Sequence, residues 1–346
     1  MIFRQMFDSV SGTYSYLLAS RHGGEALIID PVLDKVDRYL KLIEELDLRL
    51  VKAVDTHLHA DHVTGLGALR DRTHCITVMG EQSQVDVVSM RIAEGDRLHV
   101  EGLSLDVLYT PGHTDDSYSF LMADRVFTGD TLLIRGTGRT DFQNGDARQQ
   151  YESLQRLMRL PEETQVFPAH DYKGDTVSTI GEEKRFNPRL QVKDADAYAA
   201  LMAGLHLPNP KMMDVAVPAN MRQGLLQAEI AQRGWSLAPQ DAARAIGAHE
   251  VVLVDLRERS ERAKHGVIAG AVHAPYADLE QNLLPGGMLH ELAVATGKSL
   301  LFYCAFGERS AMAVQAAQDL GLARARHIEG GLDAWARSGM GIERPD

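Results

Sequence analysis

The chain is poor in cysteine: only Cys75 and Cys304 in 346 residues. That is too few for a disulfide framework and too few for a thiolate zinc site. Basic charge is also in deficit, 36 Lys and Arg against 48 Asp and Glu, for a formal net charge of −12. Neutralising phosphates takes a concentrated basic surface, and no basic run supplies one, so nucleic acid is excluded as a partner. Long apolar runs are missing too; none would span a bilayer, and no membrane role is expected. The opening MIFRQMFDSVSGTYSY holds one basic residue and no apolar stretch ending in a small-residue cleavage site. Neither a signal peptide nor a transit peptide is read there, and a cytoplasmic location is the expectation. What remains, 45% hydrophobic and 24% charged, is the balance of a globular protein, and the length calls for two separate cores.

Along the first part, extended apolar runs (YSYLLAS, ALIIDPV, VKAVDTH, ITVMG, LSLDVLYT, YSFLMAD, RVFTGD, TQVFPAH) outnumber helical ones. Helices are expected near Lys35–Leu46, over Asp146–Leu160 and over Thr176–Lys184, the last stopped by the Asn187-Pro188 step. Many strands with few helices between them imply a layered sheet structure. From about Leu205 to Trp235 periodicity weakens and Pro208, Pro210 and Pro218 gather, the composition of a connector. The boundary is placed near Arg233, giving domains 1–233 and 234–346. Beyond it EVVLVDLR, AGAVHAPY and SLLFYCAF alternate with helical pattern, Arg309–Leu320 among it, as in a small α/β domain.

Histidines carry the first chemical signal. DTHLHADHVTG sets His57, His59, Asp61 and His62 directly after an apolar strand. An extended strand end points His57 and His59 the same way, while Asp61 and His62 curl back from the loop. His113, Asp130 and His170 close three further apolar runs. Neutral imidazoles and carboxylates converging at strand ends make a metal site at one edge of a sheet. Isolated His22, His74 and His99 read as solvated loop residues.

The HxHxDH pattern with His113, Asp130 and His170 resembles the metallo-β-lactamase fold over about the first two-thirds of the chain. The resemblance implies an α/β class and an αββα sandwich. These ligands suit a binuclear zinc thioesterase of the glyoxalase II kind as well as a mononuclear iron oxygenase. The wording around them (THLHADHVTG, TPGHTDDSYSF, TGDTLLIRGTGRTDFQNG, PAHDYKG, VPANMR) resembles persulfide dioxygenases more closely. That resemblance implies one Fe(II) per chain on His57, His113 and Asp130, a facial triad leaving positions open for substrate and O₂. His59, Asp61, His62 and His170 would stand behind the ligands and orient them. It also implies a glutathione site at Arg139, Tyr172 and Arg222, with Arg139 suited to bidentate pairing with a carboxylate. The expected reaction is oxidation of glutathione persulfide by O₂ to sulfite and glutathione.

The second signal is Cys304, where the strand SLLFY runs through Cys304-Ala305-Phe306-Gly307-Glu308-Arg309 into a helix. Unpaired N–H groups at a helix start stabilise an anion and depress a thiol pKa, and Arg309 adds a fixed positive charge. Cys75, with no helix start, reads as structural. A phosphatase loop places five residues between Cys and Arg; here there are four. VDLRERSE, KHGVIAGAVHAPY and HIEGGLDAW resemble a rhodanese domain from about Ser236 onward. The resemblance implies that Cys304 carries sulfane sulfur as a persulfide, with thiosulfate or sulfite as partner. Asp255 and Arg257 are expected to be structural partners. Oligomeric state is not legible, which leaves a homo-oligomer open.

Overall fold

A computed structural model describes residues 1–85, 88–205, 207, 213–221 and 226–345. The chain divides into two compact units, Met1–Val85 with Arg91–Met221, and Asp86–Met90 with Arg222–Asp346. The division falls ahead of the position expected near Arg233, because the helix Leu226–Gln232 packs on the helix Glu308–Asp319 of the second unit. No helix among the described residues is long and apolar enough to cross a membrane.

The first unit holds two six-stranded mixed sheets. One runs in chain order through β1 (Ile2–Asp8), β2 (Thr13–Ala19), β3 (Glu25–Ile29), β4 (Arg49–Val54), β5 (Ile76–Gly80) and β6 (Met90–Ile92). The other contains β7 (Arg97–Val100), β8 (Leu103–Tyr109), β9 (Tyr118–Leu121), β10 (Arg125–Gly129), β11 (Gln165–Pro168) and β12 (Ser178–Thr179). Every residue of β2 is buried, as a strand covered on both faces must be. Aromatic side chains join the sheets: Phe3 meets Phe167 at 4.9 Å and Tyr16 meets Phe127 at 5.0 Å between ring centroids. On one outer face the helix Val36–Glu45 buries Val36, Tyr39 and Ile43, and Tyr39 reaches the Ser15 hydroxyl of β2 at 2.8 Å. On the other, the helix Ala147–Leu157 packs Leu154 and Leu157 with Val126 and Val166. These layers make the expected αββα sandwich.

In the second unit β13 (Ser236–Leu237), β14 (Val251–Asp255), β15 (Val272–His273), β16 (Ser299–Tyr303) and β17 (Arg326–Ile328) form a parallel sheet in the order β13-β17-β16-β14-β15. Arg257 pairs with Asp255 at 2.9 and 2.7 Å, both buried, the structural pairing anticipated for them.

Two expectations need correction. The stretch read as Thr176–Lys184 begins as β12, and its helix covers Ile180–Phe186, where Thr179 and Glu182 form a capping box. The presumed connector contains the helices Met213–Met221 and Leu226–Gln232, the first with Pro218 inside it.

Candidate functional site

Parallel pairing of β3 with β4 and of β10 with β11 brings their C-terminal ends to one edge, and the chain leaving those ends carries Asp30, His57, Asp130 and His170. A register shift between Phe127 and Gly129, with Gly129 at φ +53°, turns the chain just before Asp130. Ligand atoms of His57, His113 and Asp130 all lie within 4.8 Å of one another. Hydrogen bonds set which atom of each is free. Thr56 donates its hydroxyl to Asp30 (3.0 Å) and therefore accepts from His57 Nδ1–H (2.9 Å). His113 Nδ1–H donates to the Arg139 carbonyl at 2.7 Å. Both rings thus turn an unprotonated Nε2 outward, as metal ligation requires. Burial holds the pKa of His57 well below the ordinary histidine value, so it is neutral.

Asp130 accepts from His170 Nδ1 through Oδ1 at 2.6 Å, while its Oδ2 stands 3.5 Å from His113 Nε2. His170 Nε2 lies 2.8 Å from Asp61 Oδ2, so both ring nitrogens donate to carboxylates. Burial alone would drive the pKa of His170 down, but Asp130 and Asp61 outweigh it and hold the ring well above the histidine range. A second group, His59, Asp61, His62 and His170, also lies within 4.8 Å. Thr13 Oγ1 sits among it, 3.2 Å from Asp61, 3.2 Å from His62 and 3.1 Å from His170.

Two supporting residues escaped the sequence reading. Asp30 closes β3 and holds Thr56 N–H at 2.7 Å and His59 Nε2 at 3.2 Å; burial pushes its pKa up to about 6. Its position at a strand end before Pro31, parallel to the strand bearing His57, was the available signal. Asn220 had no such signal. It donates to the carbonyls of His59 and His62, each at 2.9 Å, and accepts from Thr64 N–H at 2.9 Å, clamping the ligand loop across more than 150 residues of chain.

A cavity of about 280 Å³ opens over His57, His113 and Asp130. Arg139 and Tyr172 line it, and Lys173 and Arg189 join them. Arg139 is held by Asp141 at 2.5 and 2.7 Å and lies 4.8 Å over the Phe142 ring. Tyr172 is 73% exposed and stacks parallel to His170 at 6.1 Å. Arg222 lies outside the described residues.

In the second unit Cys304 follows β16 and is fully buried, its Sγ accepting the Gly307 N–H at 3.1 Å. The same glycine, at φ +93°, starts the helix Glu308–Asp319. Arg309 pairs with Glu261 at 2.6 and 2.8 Å. Gln227 braces the loop, donating to Phe306 O at 3.1 Å and accepting from Gly330 N at 3.3 Å.

Residues 8–87 and 80–170 match the metallo-beta-lactamase superfamily, and residues 238–338 match the rhodanese-like domain. The Homo sapiens protein named persulfide dioxygenase ETHE1, mitochondrial, is 45% identical over 229 residues, covering 65% of this chain and 89% of that protein. A crystal structure of ETHE1 from Myxococcus xanthus is 54% identical with a TM-score of 0.62, over 64% of this chain and 98% of that one. A metallo-beta-lactamase structure from Staphylococcus aureus covers 95% of this chain and 98% of its own at 22% identity and a TM-score of 0.61, a likeness of fold.

Proposed function

As a member of the persulfide dioxygenase family of the metallo-β-lactamase superfamily with a rhodanese domain following, the chain is an enzyme of dioxygenase and sulfurtransferase activity, and we propose that its persulfide substrate is glutathione persulfide. The reaction is GSSH with O₂ and water to glutathione and sulfite: the sulfane sulfur is oxidised, dioxygen is reduced, and water supplies the third oxygen of sulfite. The observation that carries this reading is the three-ligand group under a charged pocket. His57 and His113 offer free Nε2 atoms and Asp130 offers Oδ2, a neutral-neutral-anionic set that fits one Fe(II). Held by His57, His113 and Asp130, an iron ion would supply the redox chemistry that lets O₂ oxidise the persulfide sulfur.

The protein's own part is orientation and charge. Arg139, Tyr172, Lys173 and Arg189 around the pocket suit the carboxylates of glutathione, and Asp141 keeps Arg139 in place until a carboxylate shares it. His59, Asp61, His62 and His170 act behind the ligands. In the second unit Cys304 takes the sulfane sulfur of thiosulfate, releasing sulfite, and passes it to glutathione. Elemental analysis with oxygen uptake on added glutathione persulfide tests the reading. One iron per chain with uptake is expected; two zincs per chain with thioester hydrolysis and no uptake would overturn it.

A further inference from the structure

Behind Cys304 stand two residues that the sulfur-transfer reading does not use. Ser310 Oγ lies 3.7 Å from Cys304 Sγ and 3.0 Å from Gly307 O, and His327 Nδ1 lies 3.2 Å from the same hydroxyl. All three groups are fully buried. His327 Nε2 is buried with no hydrogen-bond partner, and the ring's polar neighbours are the Ser310 hydroxyl at Nδ1 and the backbone of Ile328.

Proton counting gives this arrangement a direction. Gly307 O can only accept, and it already receives Ala311 N–H at 3.0 Å. The Ser310 hydroxyl can therefore turn away from it without leaving a buried carbonyl unpaired. A buried N–H without an acceptor is costlier than an empty lone pair, so His327 carries its proton on Nδ1 and donates to Ser310. With Nδ1–H fixed on its oxygen, the Ser310 proton has two possible acceptors, Gly307 O and Sγ. A neutral thiol is a poor acceptor, and the hydroxyl stays on Gly307. An anionic sulfur is a strong acceptor, and the hydroxyl swings onto it.

We propose that Ser310 and His327 form a hydroxyl relay that holds the Cys304 sulfur as an anion, Ser310 by direct contact and His327 as a positioning residue acting through it. The relay complements the Gly307 N–H, which meets Sγ from the loop side at 3.1 Å. It also explains why a polar side chain occupies β17 in the middle of a buried parallel sheet, where only apolar packing is otherwise needed. The other charged groups at this end are Glu308 and Arg309 on the same helix and Glu261 on the helix Arg259–His265. Glu261 pairs with Arg309, so that guanidinium is engaged by a carboxylate, while Gly307 N–H and the Ser310 hydroxyl both lie within reach of the sulfur. Burial keeps His327 neutral by pushing its pKa down to about 4, so it donates as imidazole across the working pH range.

The inference rests on Cys304 being the sulfur carrier, and one titration separates the two claims. Thiolate absorbance in the ultraviolet is followed against pH in the full-length protein, with the matching Cys304→Ser trace subtracted in every background. Ser310→Ala and His327→Leu should each raise the Cys304 midpoint by roughly one unit. The double variant should raise it no further, because the two residues act in series, and His327→Asn, which keeps a donor, should stay near wild type. A midpoint unmoved by both single variants, or shifts that add in the double, would overturn the relay. No Cys304 thiolate signal in the unmodified protein would instead remove the sulfur-carrier reading beneath it. His327→Asn and His327→Leu differ little in volume, so a fold defect common to both would leave their midpoints equal and count against the relay.

Discussion

At the scale of single residues, the metal site is decided by which atoms are already spoken for. In the proposed iron site His113 and Asp130 would each supply one of three ligands, so His113→Ala or Asp130→Ala should abolish iron binding and oxygen uptake together. In that proposal His170 stands behind the ligands and orients Asp130 through a 2.6 Å bond. His170→Ala should still load iron from excess metal, with affinity reduced about 10- to 100-fold. Metal titration by elemental analysis after dialysis distinguishes these, and equal loss in His170→Ala and His113→Ala would refute the one-iron site. If Arg139, which lines the pocket, binds substrate as proposed, Arg139→Ala should raise KM for glutathione persulfide more than it lowers kcat, as loss of binding common to ground and transition states does. Unchanged KM would take Arg139 out of the site. His327 gives a pH prediction. Its folded pKa of about 4 lies below the ordinary 6.5, so the unfolded chain binds the extra proton between those values. Stability should therefore fall as pH drops from 6.5 towards 4, by about 3 kcal/mol in the limit, and level off below. Urea unfolding of His327→Asn should show this slope reduced relative to wild type.

At the scale of elements, strand ends were legible and the connector was not. His57, His113, Asp130 and His170 each follow a short apolar run closed by polar or turn-forming residues, a pattern that marks strand termini by itself. Asp30 follows such a run too, but as a lone carboxylate before proline it carries no spacing signal, and its role depends on which strand lies beside β3. Asn220 is further out of reach. It sits in a proline-rich stretch with weak amphipathicity, and its partners lie more than 150 residues away. The same stretch supplies one amide to each unit, Asn220 to the ligand loop and Gln227 to the cysteine loop. Asn220→Ala strips partners from two carbonyls and one N–H in a buried position. It should cost about 2–3 kcal/mol of stability and loosen iron retention, while a surface substitution such as Glu229→Gln does neither. Thermal unfolding with parallel metal analysis measures both, and a stable, fully loaded Asn220→Ala protein would refute the clamp.

At the scale of the whole molecule, two folds with separate cores and separate chemistry lie on one chain. Their separate cores were legible from length and from the change of pattern. Why they are joined was not, because the proposed iron ligands His57, His113 and Asp130 lie in the first unit and the proposed sulfur carrier Cys304 in the second. The proposed coupling makes the product of the second unit, a persulfide, the substrate of the first. Cys304→Ser should then abolish oxygen consumption driven by thiosulfate plus glutathione, since no persulfide is made, and leave consumption normal when glutathione persulfide is added directly. Oxygen-electrode traces for both mixtures, on wild type and on folded, iron-loaded Cys304→Ser, measure this most directly. Loss with thiosulfate alone is the predicted result; loss with both mixtures, or with neither, would contradict the account.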